Sequence, residues 1–98
     1  MKAEEIIRAR IVDSEFAFSE IVAWLLDKPL AGSSHTYKYR LAHVVNDECV
    51  LRIDNEAGKG DHLHFGPTES SYHFVSIDRL LADFDAYIQR WNDENGNT

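Results

Sequence analysis

His62 and His64, one residue apart and preceded by Asp61, are the side chains here whose type and spacing best suit proton transfer. In an extended segment both imidazoles project from the same side, roughly 6 to 7 Å apart along the chain. Histidine titrates near neutral pH, so one ring can accept a proton while the other returns one. Arg40, Arg52 and Lys59 supply cations that would hold a phosphate and stabilise a phosphorane. Cleavage of RNA by its own 2′-hydroxyl needs only those parts and no cofactor. A metal site is a second use of the pair, with His35, His43 or Asp61 as third ligand, and the spacing selects none of these. The plainest use is two surface histidines beside a glycine loop.

Around the pair, Gly58-Lys59-Gly60 would let backbone N–H groups approach a phosphate, although the segment lacks the full P-loop pattern. Asp54 is placed either to orient an arginine or histidine or to form an exposed cross-strand ion pair with Arg40. His43 falls among Tyr39, Leu41 and Leu51, where a hydrogen-bonded core histidine is expected. Cys49 is the one cysteine, so no disulfide forms within the chain, and with no activating neighbour it reads as a buried, inert thiol.

These residues must be carried by a sheet. Ala3 to Val12 and Phe16 to Leu25 read as two strands, the second burying Phe16, Phe18, Val22 and Trp24, with Glu20 interrupting that side. Asp27 to Ser34 is a loop. Tyr37 to Val45 and Cys49 to Asp54 form a hairpin about the turn Asn46-Asp47-Glu48, pairing Val45 with Cys49, His43 with Leu51, Leu41 with Ile53 and Arg40 with Asp54. That register puts Lys38, Arg40 and Arg52 on one face as a basic strip. His62 to Phe65 and Ser71 to Phe74 are short strands. Ser76 caps a helix in which Ile77, Leu80, Leu81, Phe84, Tyr87, Ile88 and Trp91 recur at helical spacing.

The 98 residues carry 17 acids and 10 bases, a net charge of −7, which argues against a broad basic nucleic-acid footprint. The charge is uneven. Residues 35 to 60 balance Lys38, Arg40, Arg52 and Lys59 against Asp47, Glu48, Asp54 and Glu56, while the segment from Ser76 onward holds five acids and two bases. The acidity therefore leaves room for a phosphate-sized site and offers the helix to a basic partner. With no signal-like stretch and no apolar run long enough for a bilayer, a cytoplasmic protein away from the membrane is expected.

Tyr37-Lys38-Tyr39-Arg40-Leu41, Val50-Leu51-Arg52-Ile53-Asp54-Asn55-Glu56, Gly58-Lys59-Gly60-Asp61-His62 with His64, and Tyr72-His73-Phe74-Val75-Ser76 together resemble the TumE-like family of bacterial type II toxins. The resemblance covers about residues 35 to 91. It differs at Leu63, where the family often has arginine, at Ile53, where an aromatic is common, and at Phe65-Gly66-Pro67. It implies a toxin silenced by a helix-turn-helix antitoxin, with RNA or the ribosome as target, and leaves a homodimer open. For a toxin that cleaves RNA, the residues' own chemistry makes His62, His64 and Asp54 the catalytic set, and Lys38, Arg40, Arg52, Asn55, Lys59, Gly60 and Asp61 the substrate-binding set. A non-catalytic interaction module with a structural or metal-binding histidine loop is the competing function.

The expected fold is α+β and a single domain: an antiparallel meander of four to five strands over residues 1–75, a helix over 76–91 packed on one face, and a frayed tail over 92–98. The helix is expected to bury Leu80, Leu81, Phe84, Ile88 and Trp91 against Phe16, Phe18, Trp24, Tyr39, Leu41 and Leu51.

Overall fold

The computed structural model describes residues 2–96. Six strands, β1 (Ala3–Val12), β2 (Ala17–Leu26), β3 (Tyr37–Val45), β4 (Glu48–Glu56), β5 (Gly60–Phe65) and β6 (Thr68–Ser71), form one antiparallel sheet in sequence order, followed by helix α1 (Ile77–Glu94). The class is α+β as expected, with six strands rather than four or five. The extra strand is Thr68–Ser71, all four residues of which are exposed. Of the strand expected over Ser71 to Phe74 only Ser71 is in the sheet; the chain leaves it after a single Tyr72 N–H bond to the Asp61 carbonyl. It turns under the sheet, where the apolar parity of Tyr72 and Phe74 is satisfied by packing against the core rather than by strand pairing.

One face is apolar because alternate residues of every central strand are. Ala9, Ile21, Leu41, Ile53 and Leu63 lie opposite one another in a row across β1 to β5. Tyr39, Leu41, Leu51 and Ile53 are wholly buried there, and α1 seals them with Leu80 and Phe84. Leu81, Ile88 and Trp91 are only partly buried. The parity expected for β2 is reversed: Ser19, Ile21 and Ala23 face the helix, while Phe18 and Trp24 share the open face with Glu20 and Phe16 is exposed. Glu20 was the signal for this. A carboxylate cannot be buried unpaired, so its side of the strand had to be the wet one.

The β3–β4 turn is two residues long, with Asn46 at φ 51° and Asp47 at φ 66°. Both values lie in the left-handed region that a tight hairpin turn demands and that Asn and Asp tolerate. Val45 therefore pairs with Glu48 and Val44 with Cys49, and an irregularity between His43 and Val44 restores the expected pairs His43–Leu51, Leu41–Ile53 and Arg40–Asp54. Cys49 ends up exposed rather than buried.

The Ser76 hydroxyl caps α1 by accepting from the Arg79 N–H. The helix runs beyond Trp91 to Glu94, with Asn95 closing it onto the Trp91 carbonyl. Part of the expected frayed tail is thus helical, and residues 97–98 lie outside the described residues. Asp83 holds α1 against the segment before it, accepting from the Tyr72 hydroxyl and from Arg79 Nε. Burial opposes ionisation of Asp83, but those two donors keep its carboxyl below the usual range. No helix among the described residues is long and apolar enough to cross a membrane.

Candidate functional site

The face away from the helix carries the charged residues. In one row Arg8, Val22, Arg40, Asp54, His62 and Ser71 follow one another from β1 to β6, and in the next Arg10, Glu20, Ala42, Arg52, His64 and Glu69. Strand alternation places His62 and His64 side by side with ring centroids 6.5 Å apart. Arg52 Nη2 lies 2.9 Å from His64 Nε2. Because a guanidinium only donates, His64 Nε2 is the acceptor and its ring proton sits on Nδ1, 3.6 Å from Glu69 Oε2. His62 Nδ1 lies 3.7 Å from the other oxygen of the same carboxylate. Arg52 Nε is 3.2 Å from Asp54 Oδ2, so Asp54 pairs along its own strand with Arg52 and not across the ladder with Arg40.

Among the described residues, two buried side-chain polar atoms lack a hydrogen-bond partner, and both belong to this cluster: Arg52 Nε and His62 Nε2. An unpaired buried donor or acceptor typically costs about 1–3 kcal/mol, and water or a ligand oxygen reaching this face would satisfy it. Arg40 is exposed and has no ion pair among the described residues. It borders a concavity of about 380 Å³ that also exposes Arg8, Arg10 and Trp24. Those three, with Glu69, are the members of this face that the motifs missed. Trp24 and Glu69 gave signals in the sequence, an aromatic sharing parity with Glu20 and a carboxylate on a strand mistaken for loop.

Four residues expected at the substrate site lie elsewhere. Asn55 is buried on the helix side, where its Oδ1 accepts from the Tyr39 N–H at 2.9 Å and its Nδ2 donates to the Tyr37 carbonyl at 2.7 Å. It does for β3 what the next ladder bond would otherwise do. Asp61 also points beneath the sheet and accepts from His35 Nε2 at 2.8 Å and from the Tyr39 hydroxyl. The Tyr37 N–H donates to His35 Nδ1, and the ring stacks on Phe74 at 4.0 Å, so His35, Asp61 and Tyr39 form a closed packing unit. Burial, reinforced by the hydrogen bond to Asp61, pushes the Tyr39 hydroxyl far above its ordinary pKa.

Lys59 and Gly60 are the other two. Lys59 sits at the tip of the β4–β5 hairpin beside Glu56, and the Gly58 N–H donates to the Ala31 carbonyl instead of facing outward. Gly58 has φ +82°, and its backbone lies within 3.4 Å of where a Cβ on Gly32 would be. The glycines let two loops touch, and the expected phosphate cradle is thereby used up. Lys38 Nζ reaches the Asn55 carbonyl at 3.2 Å. His43 is the core histidine expected, with Nδ1 2.7 Å from Ser19 Oγ. Burial lowers its pKa, opposed by the charge of Asp13. Among the described residues no group of three or more His, Cys, Asp or Glu side chains is arranged to hold a metal ion.

A six-stranded antiparallel meander backed by one helix, with a histidine–arginine–carboxylate cluster on its bare face, defines a small α+β protein with a surface-borne polar site. The model of the family described as Toxin TumE matches residues 2–92, and the chain belongs to that toxin family. No curated protein and no solved structure matches it.

Proposed function

We propose that this toxin family member cleaves RNA by metal-independent acid–base chemistry on the bare sheet face, as the toxin of a type II module neutralised by a helix-turn-helix antitoxin. The unpaired His62 Nε2 beside Arg52, whose Nε is held by Asp54 as an ion pair, supports this reading. His62 takes the proton of the 2′-hydroxyl, the 2′-oxygen attacks phosphorus, and the bond from phosphorus to the 5′-oxygen breaks. The scissile phosphate draws Arg52 away from His64 Nε2, which frees that nitrogen to take a proton from water and pass it to the departing 5′-oxygen, while His62 returns the 2′-hydroxyl proton to solvent. Glu69 faces both Nδ1 atoms and holds the two rings side by side. Asp54 positions Arg52. Arg40 and Arg8 receive the neighbouring phosphates, and Trp24 offers a stacking surface for an unpaired base, a recognition mode that tolerates an acidic protein because it needs only local charge.

Expression in a bacterial host tests this. Growth arrest with cleaved cellular RNA, abolished by His62→Ala and retained by purified protein in excess EDTA, is the expected result. Harmless expression in several hosts with intact RNA, or stoichiometric zinc in protein purified without a histidine tag, would overturn it in favour of an interaction module.

A further inference from the structure

We infer that the groove between α1 and the uncovered part of the sheet is the docking site for a basic amphipathic helix of a partner protein. This rests on the toxin having a neutralising partner, and not on RNA cleavage. Six strands at about 4.8 Å spacing present an underside about 24 Å wide, whereas one helix covers about 10 Å of it. α1 crosses β4, and the Tyr72 to Val75 segment with His35 fills one end. Beneath β1 and β2 a cavity of about 680 Å³ remains, lined by Ile21, Val45, Phe84, Ile88 and Trp91. Its apolar surface continues outward onto the β1–β2 hairpin, where Ile11 is 48% and Phe16 62% exposed. Contiguous apolar surface beside a groove is what a helix fills with side chains at i, i+3, i+4 and i+7.

Charge decides the occupant. Asp13 and Asp85 lie on the groove's lining, which contains no lysine or arginine. The polar floor is already satisfied, since His43 and Ser19 bond each other, so the occupant needs apolar anchors and flanking cations rather than polar probes. A second copy of this chain would bring the same acidic rim and a further charge of −7. The groove lies on the opposite side of the sheet from His62 and His64. A partner helix seated there would hold the toxin while another part of the same partner reached the histidine face.

Two labelled synthetic peptides of about 15 residues, with identical leucines at i, i+3, i+4 and i+7 and either lysine or glutamate elsewhere, probe this by fluorescence anisotropy with the full chain. The lysine peptide is expected to bind at least about tenfold more tightly than the glutamate peptide. Asp13→Lys with Asp85→Lys, and separately Phe16→Ser, should each weaken it about tenfold. All three sites are exposed, so circular dichroism should be unchanged, and His62→Ala should bind like the parent. Equal binding of both peptides, no binding of either, indifference to these substitutions, or a dimer in sedimentation that Phe16→Ser dissolves would overturn the inference. RNA left intact while the peptides behave as expected would defeat only the catalytic reading.

Discussion

Asp54 and Asn55 are neighbours in the chain and Asp61 and His62 are too, yet each pair is split between opposite faces of one sheet. On the covered face Asn55, Asp61 and His43 all have hydrogen-bond partners. On the bare face His62 Nε2 has none, and Arg52 Nε meets Asp54 only as an ion pair at 3.2 Å. The difference separates polar residues whose hydrogen bonds complete a core from polar residues left partly unsatisfied on an open face. In the core an unpaired group would weaken the fold with nothing gained, whereas on an accessible face a substrate oxygen can satisfy it.

That contrast can be broken in order of expected effect. On the bare face, His62→Ala should slow RNA cleavage by about 10²–10⁴-fold without lowering stability in urea denaturation, since it removes a buried unpaired nitrogen. On the covered face, Leu41→Ala should lose about 2–5 kcal/mol in the same denaturation experiment, because it empties a wholly buried site between Ile21 and Ile53. Asn55→Ala should lose about 2–3 kcal/mol, since the Tyr39 N–H and the Tyr37 carbonyl are left unpaired inside. Should Asn55→Ala prove harmless to folding but fatal to activity, the division of labour between the faces would be wrong. Ser76→Ala, far from both histidine rings, should remove about 1 kcal/mol by uncapping α1 and leave activity per folded molecule unchanged.

The smallest effect concerns pH. His43 titrates lower in the folded chain than in the unfolded one, because burial disfavours its charged form. The unfolded state therefore binds more protons, and stability rises with pH across the interval between the two pKa values. The contribution of His43 is complete above about pH 6.5, the unfolded value, and declines as the pH falls through it. His43→Gln should flatten that part of the stability profile measured by urea titrations, and an unchanged slope would show that the buried imidazole is not its source.

Much of the fold was legible because its signals are local. Helix α1 announced itself through Ser76 and the recurrence from Ile77 to Trp91, and alternation gave the inner β3–β4 pairs but not the turn, which is one residue shorter and offset by an irregularity at His43–Val44. The reversed parity of β2 was misread because Phe16, Phe18 and Trp24 outweigh Ala23 and Ser19 in hydrophobicity, although Glu20 pointed the other way. The wide bare face gives large apolar side chains a place to lie flat, as Phe18 does beneath the Arg10 guanidinium at 4.0 Å. Within the candidate site, His62, His64, Arg52, Asp54 and Arg40 were legible from type and alternation. Glu69, Arg8 and Trp24 were not, since strand order rather than spacing brings them alongside.

By itself the sequence determined an α+β chain with a charge-balanced centre, a carboxy-terminal amphipathic helix and two histidines on one side of a strand, since periodicity and composition act over a few residues. Tertiary structure alone decided which of two adjacent polar residues faces water. It also decided that the glycine loop spends its N–H on Ala31, and that one helix is too narrow for six strands. Those outcomes depend on which strands become neighbours and on what remains to cover them, quantities that no window of sequence contains.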